Sequence, residues 1–310
     1  MIFIIRLIAT WYNHLHIFNL NVQVKIKNIP ENLRPLFPPP LDRLLEINPD
    51  YLRKYKLGNR VINYLERLQI TNEHLPALIK LAESAVNPEV FDNEDERYFY
   101  ASVHAWRILG LMRAEAAIEP LLGILNALDN ANTDWHLEEY PDVFAFIGES
   151  AVEPLGKFLH NPANRPYPRF CASSCLEKIA KLNPNSAGRC KQIIIELLKN
   201  YDHNDEDLNG FLIGDLVGLK AVEAAELIER AYAAGKVDTL ICGKWGIVRR
   251  ELGVPGLGLA EDTGPYKLPS ALAQLPTTAK TKPFINASER NRKKRQRKQQ
   301  KQSRKKNRRK

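Results

Sequence analysis

The sequence predicts an all-α chain, an α-solenoid of about five helix pairs followed by a disordered basic tail. Three observations predict it. Ala105–Leu125 reads as two short amphipathic helices around a tight turn. That hairpin returns at intervals of 32–38 residues. Beyond residue 255 the sequence changes to Gly/Pro-containing and then Lys/Arg-rich composition. A hairpin this short cannot bury its own apolar face, so it needs neighbours of its kind, and a fixed period of this length is how such stacks appear in sequence.

In the best-preserved copy, Ala105, Trp106, Ile108 and Leu109 have helix spacing, and Gly110 suits a left-handed cap. The second helix carries Ile118, Leu121, Leu122, Ile124 and Leu125, with Pro120 near its first turn. Phe144–Leu159 repeats the design: Gly148 lies at the turn, and Ala151–Leu155 matches Ala117–Leu121, the prolines 34 residues apart. Two looser copies follow at Ser174–Leu198 and Phe211–Tyr232, with turn positions at Ala180 and Gly218. A degenerate first pair is expected from Asn59–Gln69 and Leu75–Ala85, the latter capped by Thr71 or Asn72. Leu41–Ile47 suggests a short helix, and Val237–Leu252 a closing helical cap.

The flanks differ. Met1–Leu20 is apolar but broken by Arg6, Asn13, His14 and His16, so it falls short of a membrane helix and lacks the basic leader and cleavage site of a signal peptide. It either covers the end of the stack as a short strand or helix, or the first 25 or so residues precede the natural start and have no structural role. Val22–Lys27 alternates like a strand that has no partner strand, and Asn28–Pro40 carries five prolines. The organisation expected is therefore an irregular segment 1–40, a helical body 41–255, a linker 256–286 and a disordered tail 287–310.

Charge separates body from tail. There are 45 Lys and Arg against 36 Asp and Glu, a net charge of +9. Fourteen of the basic residues are Arg290, Arg292, Lys293, Lys294, Arg295, Arg297, Lys298, Lys301, Arg304, Lys305, Lys306, Arg308, Arg309 and Lys310. Without them 31 remain against 36 acids, so residues 1–289 carry −5. The tail has the composition of the basic ends of RNA- or ribosome-associated proteins. It would give salt-dependent, sequence-nonspecific affinity for RNA or acidic surfaces, and it lacks aromatics for base stacking.

Acids also cluster before the first helices of the pairs: Asp92, Glu94, Asp95 and Glu96; Asp134, Glu138, Glu139 and Asp142; Asp202, Asp205, Glu206 and Asp207. In a stack, equivalent loops share one edge. That edge is read as a surface for a basic partner, including the chain's own tail, or as ordinary helix N-terminal chemistry. Trp135 and His136, with Glu138, Glu139, Asp205, Glu206 and Asp207, are the candidate partner-binding residues. The exception along the edge is His160–Arg169, which carries prolines and arginines.

No G-x-G-x-x-G, P-loop, G-x-S-x-G or H-E-x-x-H motif occurs. The seven histidines are scattered, and Asp202–Asp207 lacks the glycine and the final glutamate of a calcium loop. Cys171, Cys175, Cys190 and Cys242 form no C-x-x-C pair, and Cys171 and Cys175 are expected to face one helix seam. No catalytic residue, metal or cofactor is expected, and the location expected is cytoplasmic.

Leu109-Gly110 with Ala117–Leu121, and Ile147-Gly148 with Ala151–Leu155, resemble HEAT repeats of the short type named after phycobilisome lyases. The resemblance covers residues 98–235 at most, and the two later copies lack the proline. Trp106-x-x-Leu109-Gly110 is also similar to a tetratricopeptide start, but Arg113 stands where that pattern has Tyr. The HEAT resemblance implies a right-handed solenoid that binds proteins through one surface, a non-enzymatic scaffold or adaptor. The alternative it implies is chromophore attachment as a lyase or chaperone, although no residue matches a lyase site.

Overall fold

The computed structural model describes residues 29–47, 52, 57, 63–131 and 133–254. The expected strand at 22–27, residues 59–62 of the helix expected at 59–69, the linker and the tail lie outside the described residues. Every regular element among the described residues is helical. The chain divides into two compact units, Met1–Ile108 and Leu109–Lys310.

In the first unit, α1 (Tyr64–Leu68) is capped by the Asn63 side chain and stopped by Gln69 in left-handed conformation, φ 55°. It is followed by α2 (Leu75–Glu83), α3 (Pro88–Phe91) and α4 (Arg97–Leu111), the last running past the unit boundary. The proline-rich stretch is a packed cap: Leu33, Leu36 and Phe37 are buried, and Arg34–Leu36 forms a 3-10 turn against α2. Leu41–Glu46, expected as a helix, is also 3-10.

The core of this unit includes polar side chains. Trp106 donates its indole N–H to the Ala82 carbonyl at 3.0 Å, and the buried Arg107 guanidinium donates to the Leu52 carbonyl at 3.1 Å. Tyr64 Oη and His104 Nδ1 lie 2.6 Å apart, both fully buried. Burial pushes the His104 imidazole down to about 3, with Arg107 adding to the shift, so it stays neutral. Leucine and isoleucine burial at about 1.5–3 kcal/mol per side chain holds the surrounding core together.

The second unit continues with α5 (Ile118–Gly123), α6 (Leu125–Asn130), α7 (Trp135–Ile147), α8 (Val152–His160), α9 (Pro166–Leu182), α10 (Ala187–Leu198), α11 (Glu206–Gly218), α12 (Ala225–Ala233), α13 (Thr239–Cys242) and α14 (Trp245–Leu252). Helix α9 packs on α7, α8, α10 and α11; α8 packs also on α5 and α10; α11 packs on α10, α13 and α14. The closing cap expected as one helix is two, divided at Gly243.

One local device recurs in both units. The second helix of each pair is led in by a three-residue 3-10 turn: Asn72–His74, Glu115–Ala117, Glu149–Ala151, Pro184–Ser186 and Val222–Ala224. The turn ahead of these lead-ins is made differently from pair to pair. Gly148, expected at the turn, lies there with φ 98°. Gly110 is a correction: it lies inside α4, and the left-handed residue is Arg113 at φ 52°. Gly110 is small for another reason. A Cβ there would stand 3.1 Å from the Cα and carbonyl oxygen of Val143, so the bare backbone is what lets the two helices approach. Gly218 likewise ends α11 while Lys220, φ 52°, makes the turn, and Ala180 is an interior residue of α9.

Candidate partner-binding face

Helices α7, α9 and α11 run in the same direction. Early residues meet early residues: the Cys171 thiol approaches the His136 carbonyl at 3.6 Å, and the Phe170 and Phe211 rings stack at 3.8 Å. Late residues meet late residues: Asn183, just past α9, donates to the Ala145 carbonyl at 3.4 Å. The three N-termini therefore share one edge, which brings the stretches near 135, 166 and 206 together.

The sequence-based candidates separate on that edge. Trp135, His136, Glu138 and Glu139 were expected in a loop; they form the first turns of α7. The helical register decides their exposure. Glu138 faces solvent, Trp135 is half-buried, and His136 and Glu139 are each 1% exposed, so no partner reaches the last two directly. His136 packs edge-on against Tyr140, and neither ring nitrogen reaches hydrogen-bond geometry among the described residues. Burial pushes it down to about 4; a backbone interaction with Thr133 opposes the shift without offsetting it.

Asp205, Glu206 and Asp207 are all exposed at the start of α11. Asp205 lies close enough to Arg169 to counter part of the lowering that burial imposes on that guanidinium. Glu206 and Asp207 carry no ion pair among the described residues. Of the other acids, Asp142 is engaged with Lys178 at 2.8 Å, and Asp95 holds Arg97 with contacts of 2.6–3.1 Å. The Arg97 guanidinium keeps the Asp95 carboxyl below the usual carboxylate range. The fourteen basic tail residues lie outside the described residues.

The proline-rich exception at 160–169 serves packing. Asn126 donates to Asn164 Oδ1 at 2.9 Å and accepts from the Arg165 amide at 3.1 Å, while Asn164 donates to the Phe158 carbonyl at 2.8 Å. Arg165 pairs with Asp129 at 2.8 Å, and the buried Arg169 donates to the Leu159 carbonyl at 2.8 Å. The same stretch presents Tyr167, 47% exposed, beside Phe170 and Phe211. This aromatic group was hidden in sequence, because Tyr167 and Phe170 sit among prolines and Phe211 lies some forty residues further along the chain.

Beneath the face is a polar seam. Ser173 donates to Asp215 Oδ2 at 2.5 Å and Ser174 to Oδ1 at 3.4 Å. Burial raises the Asp215 carboxyl to about 8 even though the Ser173 bond favours its ionised form. Burial, reinforced by the neighbouring Cys171 thiol, raises Cys175 well above the ordinary thiol range, and burial lifts Cys190 to about 11. Such thiols stay protonated, the opposite of what nucleophilic cysteine chemistry needs. Among the described residues no three His, Cys, Asp or Glu gather to hold a metal ion, and no helix is long and apolar enough to cross a membrane.

Compared with protein-family models, curated proteins and solved structures, the chain matches none. The arrangement offers an edge of mixed acid and aromatic character on three parallel helices.

Proposed function

We propose that the chain is a non-enzymatic HEAT-type scaffold, a right-handed α-solenoid over residues 41–255 that docks a protein partner, with a basic tail adding affinity for RNA, the ribosome or acidic surfaces. The observation that carries this reading is the spacing of contacts between successive pairs. Cys171–His136, Arg189–Glu153, Asn126–Asn164 and Asn183–Ala145 join residues 35, 36, 38 and 38 apart, and Ser173–Asp215 joins residues 42 apart. Each is about one repeat, as expected where every repeat touches only its neighbours. The five 3-10 lead-ins support it independently.

A stack of this kind presents one continuous edge, and its function lies where the repeats differ. Asp205–Asp207, Tyr167 and Glu138 are such places. The four cysteines are free and three are buried, which fits a reducing compartment such as the cytoplasm.

Co-purification of the full chain, at low and then high salt and with and without nuclease, tests the function. Retention of a defined protein that survives nuclease is expected, together with RNA that salt removes. If neither protein nor nucleic acid is retained at low salt, the reading fails. Small-angle scattering tests the architecture; a near-spherical profile for residues 41–255 would overturn the solenoid.

A further inference from the structure

The aromatic group on α9 and α11 sits beside carboxylates that nothing described neutralises. Phe211 lies one helical turn after Asp207, so acid and ring share a stripe of α11. Tyr167 extends that stripe onto α9, its ring centre 6.0 Å from that of Phe211. An exposed Tyr beside a ring that shares a stripe with Asp207, at a helix start that also carries Glu206, matches one kind of side chain well. Lys and Arg carry an apolar stem that covers a ring and a cation that an aromatic face and a carboxylate both attract.

We propose that this face holds the basic segment Arg290–Lys310 of the same molecule, with Glu206 and Asp207 pairing its cations and Tyr167 and Phe211 receiving them on their rings. Charge complementarity names the occupant: fourteen cations and no acid on the segment, against a body of −5. Covalent reach permits it. The 35 residues 255–289 span at most ~120 Å, whereas α11, with 13 residues, is only ~20 Å long. Tethering then gives the segment a local concentration that a free basic peptide lacks. The consequence goes beyond the scaffold reading and does not depend on it: RNA and the acid-aromatic face compete for one segment, so RNA binding uncovers the face.

Hydroxyl-radical footprinting of the full chain tests this at Tyr167. Raising salt from about 50 to about 500 mM screens exposed charge pairs and should increase Tyr167 oxidation about threefold or more. A full-length variant with the fourteen tail Lys and Arg changed to Gln should show the same rise at low salt, as should Glu206→Gln/Asp207→Asn. Tyr232 and Trp245 serve as internal controls and should not change. Added polyuridylate should also expose Tyr167. Protection of Tyr167 by polyuridylate would instead place RNA on the face and overturn the proposal, as would oxidation insensitive to the tail charges. Carbodiimide coupling in a mixture of isotopically light and heavy chains should join Lys293 or Lys294 to Glu206 or Asp207 within one copy. Links found only between copies would overturn the intramolecular contact.

Discussion

The Ser173 hydroxyl donates to Asp215 at 2.5 Å between α9 and α11, inside the seam that joins two successive helix pairs. The carboxyl titrates near 8 there, against 3.8 for an unperturbed Asp. Between those values the unfolded chain has released the proton and the folded chain still holds it. Stability attributable to this group is therefore lost as pH rises from about 4 to about 8. Thermal melts from pH 6.5 to 8.5 should show a falling Tm in the full chain and a flatter profile in Asp215→Asn. A profile equally steep in both would show that Asp215 is not the titrating group.

The two buried histidines act on the other limb. His104 and His136 titrate near 3 and 4, against 6.5 when exposed, so the unfolded state takes up protons first as pH falls. Stability should decline below about pH 6.5. The two are not equivalent at neutral pH. His104→Leu removes a buried hydrogen bond to Tyr64 and should cost about 1–2 kcal/mol. Among the described residues neither His136 nitrogen reaches a partner in hydrogen-bond geometry, so His136→Leu should be neutral or stabilising and should soften the acid limb. Urea denaturation at pH 5 and pH 7 separates the two variants.

Glycine positions give a contrast of opposite sign. Gly110→Ala forces a methyl against the Val143 backbone and should destabilise by about 1–3 kcal/mol. Gly214 lies mid-helix in α11 with nothing within 4 Å of a Cβ, so Gly214→Ala should stabilise by up to about 1 kcal/mol. Equilibrium unfolding of both variants checks the signs.

Asn126, in the first turn of α6, fastens that helix to the start of α9 through two hydrogen bonds. Asn126→Ala should cost about 1–3 kcal/mol and speed hydrogen exchange at the Arg165 amide. Unchanged exchange there would mean that the stretch 160–169 is held by its remaining bonds.

How far the sequence reached can be judged at particular residues. The pairing of helices was legible from apolar spacing alone, and so was the turn at Gly148, where a positive φ leaves few residue choices. Gly110 looked the same in sequence but answers to a neighbour, Val143, that only folding brings close. Trp135–Glu139 read as an acidic loop because its charges mask a helical start; the register then turns His136 and Glu139 inward and Glu138 outward. Tyr167, Phe170 and Phe211 carried no signal as a group, since nothing local relates residues some forty positions apart.

By itself the sequence determined the helical character of the described residues and the separation of a mildly acidic body from a strongly basic tail, because apolar periodicity and net charge are local sums over residues. The tertiary structure decided which acids face solvent, which histidines and thiols are desolvated, and that Ser173 meets Asp215 while Phe170 stacks on Phe211. Those depend on how neighbouring helices are registered against one another, and that register is set by packing between helices far apart in sequence.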